Sequence, residues 1–164
     1  MVANLNTGTP RHLILSFEIE GEKQISAGLD YVGKELKDFR KPLKKSSELL
    51  LKTWEQNFDA QGSTLGEPWQ RLSPKYAAWK AKRYPGKGIL VRTGKMRKSF
   101  RDSVTSVSAT LTNPTPYFRY HQSNASRGTL PRRVMMKIDR QRVDGILRIF
   151  TEWLNEVASH FSKK

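Results

Sequence analysis

The chain has 164 residues, 37% of them hydrophobic, with 30 Lys+Arg against 15 Asp+Glu and no cysteine. That length suits one domain or at most two small ones, and a chain of this size buries roughly 70% of the surface its unfolded form exposes. The absence of cysteine excludes a disulfide framework and a thiolate metal site, and no run of about 18 apolar residues is present to form a membrane-spanning helix.

Met1 to Pro10 carries no apolar h-region, so no secretory leader is expected, and residues 1–10 read as a flexible lead-in. Leu13, Leu15, Phe17 and Ile19 alternate with mostly polar neighbours and predict a half-buried strand that ends at Gly21. Ile25, Leu29, Val32, Leu36 and Phe39 recur at helical spacing and predict an amphipathic helix over 22–39. Pro42 fits a first helical turn, and Leu43, Leu50, Trp54 and Phe58 carry a second helix to about Asp59. Two glycines and a proline make 61–68 a loop.

Ser73-Pro74 places an N-cap residue before a proline at the first helical position, so a short helix follows to about Arg83. Tyr76 and either Trp79 or Lys80 are expected to face inward. Thr93 can cap a further short helix through Phe100. Val104–Val107 and Ala109–Thr112 read as a weak hairpin, Asn113–Pro116 as a turn, and Leu130–Ile138 as a strand. Asp139 caps a long helix to about Phe161, with Val143, Ile146, Leu147, Phe150, Leu154, Val157 and Phe161 in one stripe that Ile149 and Trp153 widen. A helix so widely apolar needs two packing partners or a neighbouring subunit.

The expected fold class is α+β: an N-terminal strand and amphipathic helices packed on a small antiparallel sheet, with a long C-terminal helix. Residues 11–162 form one domain, with a mobile loop near 123–130.

The charge is unevenly placed. Residues 1–70 hold nine basic and ten acidic residues; residues 71–103 hold eleven basic residues and one acid, Asp102; residues 104–164 hold ten and four. The central stretch carries Arg71, Lys80, Arg92, Lys95, Arg97 and Lys98 among others, and suits an acidic partner, either nucleic acid or an acidic protein surface. Asp102, alone among cations, reads as an ion-pair partner and not as a base.

No catalytic pattern emerges. His12, His121 and His160 lie far apart and none has a metal-ligand neighbour at helical spacing. Gly88 to Lys95 fails as a phosphate loop, because the spacing is wrong and Met96 stands where a metal-binding hydroxyl belongs. No serine lies in a Gly-x-Ser-x-Gly context. The expectation is a protein that is not an enzyme and uses no cofactor or metal. Trp69, Tyr76, Trp79 and Tyr84 interleave with the cations and could stack on bases, so a basic nucleic-acid-binding protein without a fixed assembly role is the alternative reading.

One ordered constellation is more specific. It runs Pro68-Trp69-x-x-Leu72-Ser73-Pro74, Trp79-Lys80, Leu90-x-x-Thr93-Gly94-x-Met96-x-x-Ser99, Pro116-Tyr117, His121-Gln122 and Leu130-Pro131-Arg132-Arg133. This set resembles the phage virion morphogenesis family, the tail-completion and head–tail joining proteins of Mu-type contractile-tailed phages. Ser123 and Phe118 stand where members of the family usually carry Gly and Ala. The resemblance implies a structural protein of the virion neck, present in the host cytoplasm during assembly. It implies a homo-oligomer, a hexameric ring, that meets the tail terminator and the head-side adaptor or portal, with possible nonspecific contact to packaged DNA and none to membrane. Within it, Thr93-Gly94 is expected to form a tight turn with Leu90 and Met96 buried, Trp69 and Leu72 to anchor a loop, and Tyr117, His121 and Gln122 to fix the loop that follows. Arg127, Arg132 and Arg133, with Lys95, Arg97 and Lys98, are the candidate assembly contacts.

Overall fold

The computed structural model describes residues 2–6, 13–18, 37–123 and 130–161, with β1 and β2 described as backbone only. In chain order the elements are β1 (Val2–Asn6), β2 (Leu13–Glu18), α1 (Arg40–Asp59), a 3₁₀ turn (Ser63–Leu65), α2 (Pro74–Arg83), α3 (Lys95–Lys98), β3 (Arg101–Val104), β4 (Ser108–Asn113), α4 (Phe118–Gln122) and α5 (Arg140–Phe161). Four antiparallel strands form one sheet in the order β1-β2-β4-β3, and the class is α+β. β1 lies within the segment read from sequence as a flexible lead-in, and pairs Leu5 with Leu15 of β2. β2 in turn pairs Leu15 with Leu111 of β4. The helix expected over 22–39 falls almost wholly outside the described residues.

α1 forms because its apolar residues return every turn to one side. Leu43, Leu50, Trp54 and Phe58 are all buried there. Ser46 and Ser47, on the same buried side, return their hydroxyls to the carbonyls of Pro42 and Leu43, at 2.8 and 3.0 Å, so no polar atom is orphaned. α1 packs on α5, β3 and β4. Gly145 of α5 sits so close to α1 that an added Cβ would lie 2.9 Å from Leu49 Cδ2. Phe39 meets Trp153 and Phe150 of α5 at ring-centroid distances of 5.4 and 6.2 Å. On α5, Ile146 and Trp153 are buried, whereas Leu147 is half exposed.

α2 starts as its sequence dictates: Ser73 Oγ accepts the Tyr76 amide and Pro74 occupies the first turn. Its inward residue is Lys80, one of the two expected beside Tyr76, and not Tyr76 itself. Tyr76 and Trp79 are solvent-exposed and stacked on each other at 5.4 Å, while Lys80 is the buried residue of the helix. Asp102 pairs with Lys44 at 2.7 Å, as an ion-pair partner should.

Residues 130–139 are the main departure. They form no strand and join no sheet. Their backbone is held by side chains instead. Gln122 Nε2 donates to the Met136 carbonyl at 2.6 Å, and Gln122 Oε1 accepts the Met135 and Met136 amides at 2.7 and 3.1 Å. Asn57 Nδ2 and Trp69 Nε1 both donate to the Val134 carbonyl, at 3.0 and 2.9 Å. The apolar run Val134-Met135-Met136 records burial of three successive residues, not strand pairing.

Candidate functional site

The residues of the ordered constellation converge in space. Leu72, Ser73, Lys80, Leu90, Thr93, Gly94, Met96, Tyr117, His121, Leu130, Pro131 and Arg133 all line one cleft of about 840 Å³. Gln70, Arg71, Tyr76, Arg92 and Lys95 complete its wall. A volume in this range is typical of ligand-binding clefts.

Local structure explains each wall. The loop between α1 and α2 is drawn inward by Trp69, which packs edge-on against Phe58 at 5.2 Å. That brings Leu72 and the Gln70 carbonyl to one rim. The segment between α2 and α3 turns through three left-handed residues, Gly86 (φ 71), Leu90 (φ 61) and Gly94 (φ 80). Thr93 Oγ1 accepts the Lys95 amide at 3.3 Å, opening α3 and placing Met96 in the core. Met96 is fixed by its carbonyl, which accepts Asn113 Nδ2 at 2.8 Å. Leu90 is only partly buried. Its left-handed backbone makes it a wall of the cleft instead of core.

The electrostatics are one-sided. Arg71, Lys80, Arg92, Lys95 and Arg133 face the cleft, and no Asp or Glu is among its described lining residues. Two of these cations are buried: Lys80 at 4% exposure and Arg133 at 5%. Lys80 Nζ donates to the Gly88 carbonyl at 2.5 Å. Arg133 Nε and Nη2 both donate to the Gln70 carbonyl, at 3.2 and 2.9 Å. Neither meets a carboxylate among the described residues. Burial, then the nearby Arg133, pushes the Lys80 ammonium below its ordinary pKa. Burial alone pulls Arg133 the same way, although a guanidinium stays charged in proteins.

His121 stands beside them. Its Nδ1 is buried without a hydrogen-bond partner among the described residues. Burial, then the Arg133 charge, lowers its pKa from the ordinary 6.5, while the Pro131 backbone carbonyl works in the opposite direction. The folded state therefore prefers neutral His121. Its contribution is fully present above the unfolded pKa near 6.5 and is lost as pH falls through the lower folded value. Chemical denaturation across pH 7.5 to pH 4.5 is expected to show wild-type stability declining from about pH 6.5 downward, and His121→Gln is expected to flatten that part of the curve.

The candidate assembly contacts separate. Lys95 lines the cleft; Lys98 is exposed outside its lining. Arg97 is engaged by Asp59 at 2.6 Å and Glu55 at 3.2 Å, both on α1 and outside the cleft lining. Arg132 pairs with Glu67 at 2.8 Å, a carboxylate that Lys137 shares at the same distance. The hydrogen bond from Lys137, ahead of the Arg132 charge, holds Glu67 below the usual carboxylate range. Arg133, expected at a docking surface, is a buried floor residue, because the Gln70 carbonyl receives it. Arg127 and most of the 123–130 loop lie outside the described residues. Tyr117 is exposed at the rim, whereas Gln122 is buried as the clamp on residues 135–136. Arg71 and Arg92 were visible in the sequence only as part of a basic stretch; nothing local marks them as facing Arg133.

Among the described residues no group of three His, Asp or Glu could hold a metal ion, and no helix is long and apolar enough to cross a membrane. No curated protein and no solved structure matches the chain significantly. A family model does match, over residues 21–155, a span that takes in every described wall of the cleft. With that match, and with the residues of the constellation gathered around one cleft, the chain belongs to the phage virion morphogenesis family.

Proposed function

We propose that the chain, whose family gives it a structural or assembly role in a phage virion, acts in tail completion and head–tail joining: it forms a ring in the neck and docks the tail onto the DNA-filled head. The observation that carries this reading is the cleft, where five cations and no described carboxylate meet the residues of the family constellation. Such a surface is complementary to an acidic neighbour and orients docking through its field. Two further features fit a subunit that is held on several sides. The Tyr76–Trp79 stack, which Tyr84 extends at 5.9 Å, is exposed, and Trp, Tyr and Arg are the residue types that dominate binding energy at interfaces. Half-exposed Leu147 leaves part of the α5 stripe uncovered in the single chain, as a lateral subunit contact requires.

A conditional nonsense allele in the parent phage tests the role. Restrictive lysates are expected to contain full heads and finished-length tails that remain unjoined, with infectivity restored by the wild-type chain in trans. Cryo-microscopy of complete particles should then place a ring of this chain, six subunits if the neck symmetry is that of the tail, between tail terminator and head-side adaptor. Joined, infectious particles without the chain would end the proposal.

A further inference from the structure

We propose that the cleft is the receptor for an acidic, apolar-tipped peptide segment of a different protein, whose carboxylates reach the buried pair Lys80 and Arg133. The inference rests on the cleft's own geometry and holds whichever part of the virion the protein occupies. Three observations carry it.

First, the floor cations are under-coordinated. Lys80 spends one of three N–H donors on Gly88, and both bonded nitrogens of Arg133 go to a single carbonyl, so Nη1 has no partner among the described residues. Two buried cations that meet only neutral carbonyls are costly to keep, and an incoming carboxylate would neutralise them in a partly desolvated setting where charge-assisted bonds are strong.

Second, the cations are recessed. A duplex backbone is contacted by projecting side chains on an open face, whereas residues 95% buried or more are reached by a thin flexible chain. The walls supply what such a chain needs beyond charge: Leu72, Leu90, Met96 and Leu130 for apolar side chains, with Tyr76 and Tyr117 at the rim.

Third, the occupant of the cleft is a different, acidic protein: the formal net charge of +15 attracts such a partner and disfavours a like-charged copy at this cationic face, while contacts between copies in the proposed ring use other surfaces, such as the α5 stripe.

The test uses the full-length protein and a fluorescein-labelled hexapeptide, Asp-Glu-Leu-Trp-Glu-Asp, followed by fluorescence anisotropy. Its amide counterpart, Asn-Gln-Leu-Trp-Gln-Asn, and a short DNA duplex serve as competitors. The acidic peptide is expected to bind and the amide peptide to compete at least about tenfold less well. Arg71→Glu with Lys95→Glu, both exposed on the rim, should weaken binding by at least about tenfold. Lys52→Glu with Lys87→Glu, an equal charge change outside the cleft lining, should change it by less than about twofold. Lys80→Met and Arg133→Gln, wherever circular dichroism shows them folded, should abolish binding; the rim variants decide the matter if they do not fold. Equal losses in the two charge-matched double variants, equal binding of the amide peptide, or displacement of the peptide by DNA at lower concentration than by unlabelled peptide would each overturn the proposal. Failure here with unjoined heads and tails in the nonsense allele would remove the peptide receptor and leave the neck role standing.

Discussion

Gln122→Leu is expected to lower the stability of the protein by about 3–5 kcal/mol, since each of three backbone groups left unpaired costs about 1–3 kcal/mol and the losses do not add fully. The groups are the amides of Met135 and Met136 and the Met136 carbonyl, and both methionines are buried with the glutamine. A leucine fills the space without offering either a donor or an acceptor. Urea denaturation should show a lower midpoint with an unchanged slope, the mark of a stability change without a change in the surface exposed. Gln122→Glu separates the hydrogen bonds from the packing. An ionised carboxylate accepts both amides but cannot donate to the Met136 carbonyl, whereas the acid form does both. The deficit of Gln122→Glu relative to wild type at the same pH should therefore shrink as pH is lowered from 7 toward 5. A deficit that is flat with pH, or a Gln122→Leu cost below about 1 kcal/mol, would mean that the segment of residues 130–139 is held by burial alone.

The second large effect is expected at Gly62. Its φ of 98 lies in the left-handed region, and an added Cβ would collide with the Glu67 carbonyl oxygen and sit 2.5 Å from Trp69 Cδ1 and 2.8 Å from the Trp69 amide. The loop curls over this residue, whose carbonyl accepts the amides of Leu65 and Glu67. Gly62→Ala should cost about 1–2 kcal/mol for the left-handed backbone and a further 1–3 kcal/mol for the collision. Gly66 provides the control within the same loop. It too has positive φ, 71, but nothing lies within 4 Å of its added Cβ. Gly66→Ala should cost only about 1 kcal/mol. Because Gly62 sets where Trp69 and the Gln70 carbonyl lie, Gly62→Ala should also redshift tryptophan emission and loosen Arg133, while Gly66→Ala leaves both unchanged. Equal costs at the two glycines would show that the loop relaxes around the new methyl.

What the sequence disclosed, it disclosed through period and caps. α1, α2 and α5 are legible because apolar residues recur each turn and because Ser73-Pro74 and Asp139 mark starts; the Arg142 amide does bond to Asp139 at 3.1 Å. The β3–β4 hairpin is legible to within a few residues. Residues 130–138 mislead because their apolar residues report burial, and their backbone groups are satisfied by partners that no local pattern reveals: Gln122 accepts two amides, while Asn57 and Trp69 donate to the Val134 carbonyl. The inward face of α2 is legible in part: Lys80, an inward candidate from its position, turns in and donates to the Gly88 carbonyl, whereas hydrophobicity misleads at Tyr76, which is exposed. The cleft is legible only as a chain order of motifs; that Arg71, Lys80, Arg92, Lys95 and Arg133 share a concave wall is a product of tertiary contacts.

The fastening of residues 130–139 has a kinetic consequence. Amides inside a helix or between strands exchange with solvent only when many neighbours open together, whereas those of Met135 and Met136 are shut by one side chain. Release of Gln122 unpairs both at once, so once this segment opens to solvent their deuterium uptake should rise and fall as a pair, faster than that of α1, and it should read out the state of this single latch in the assembled particle as well as in the free subunit.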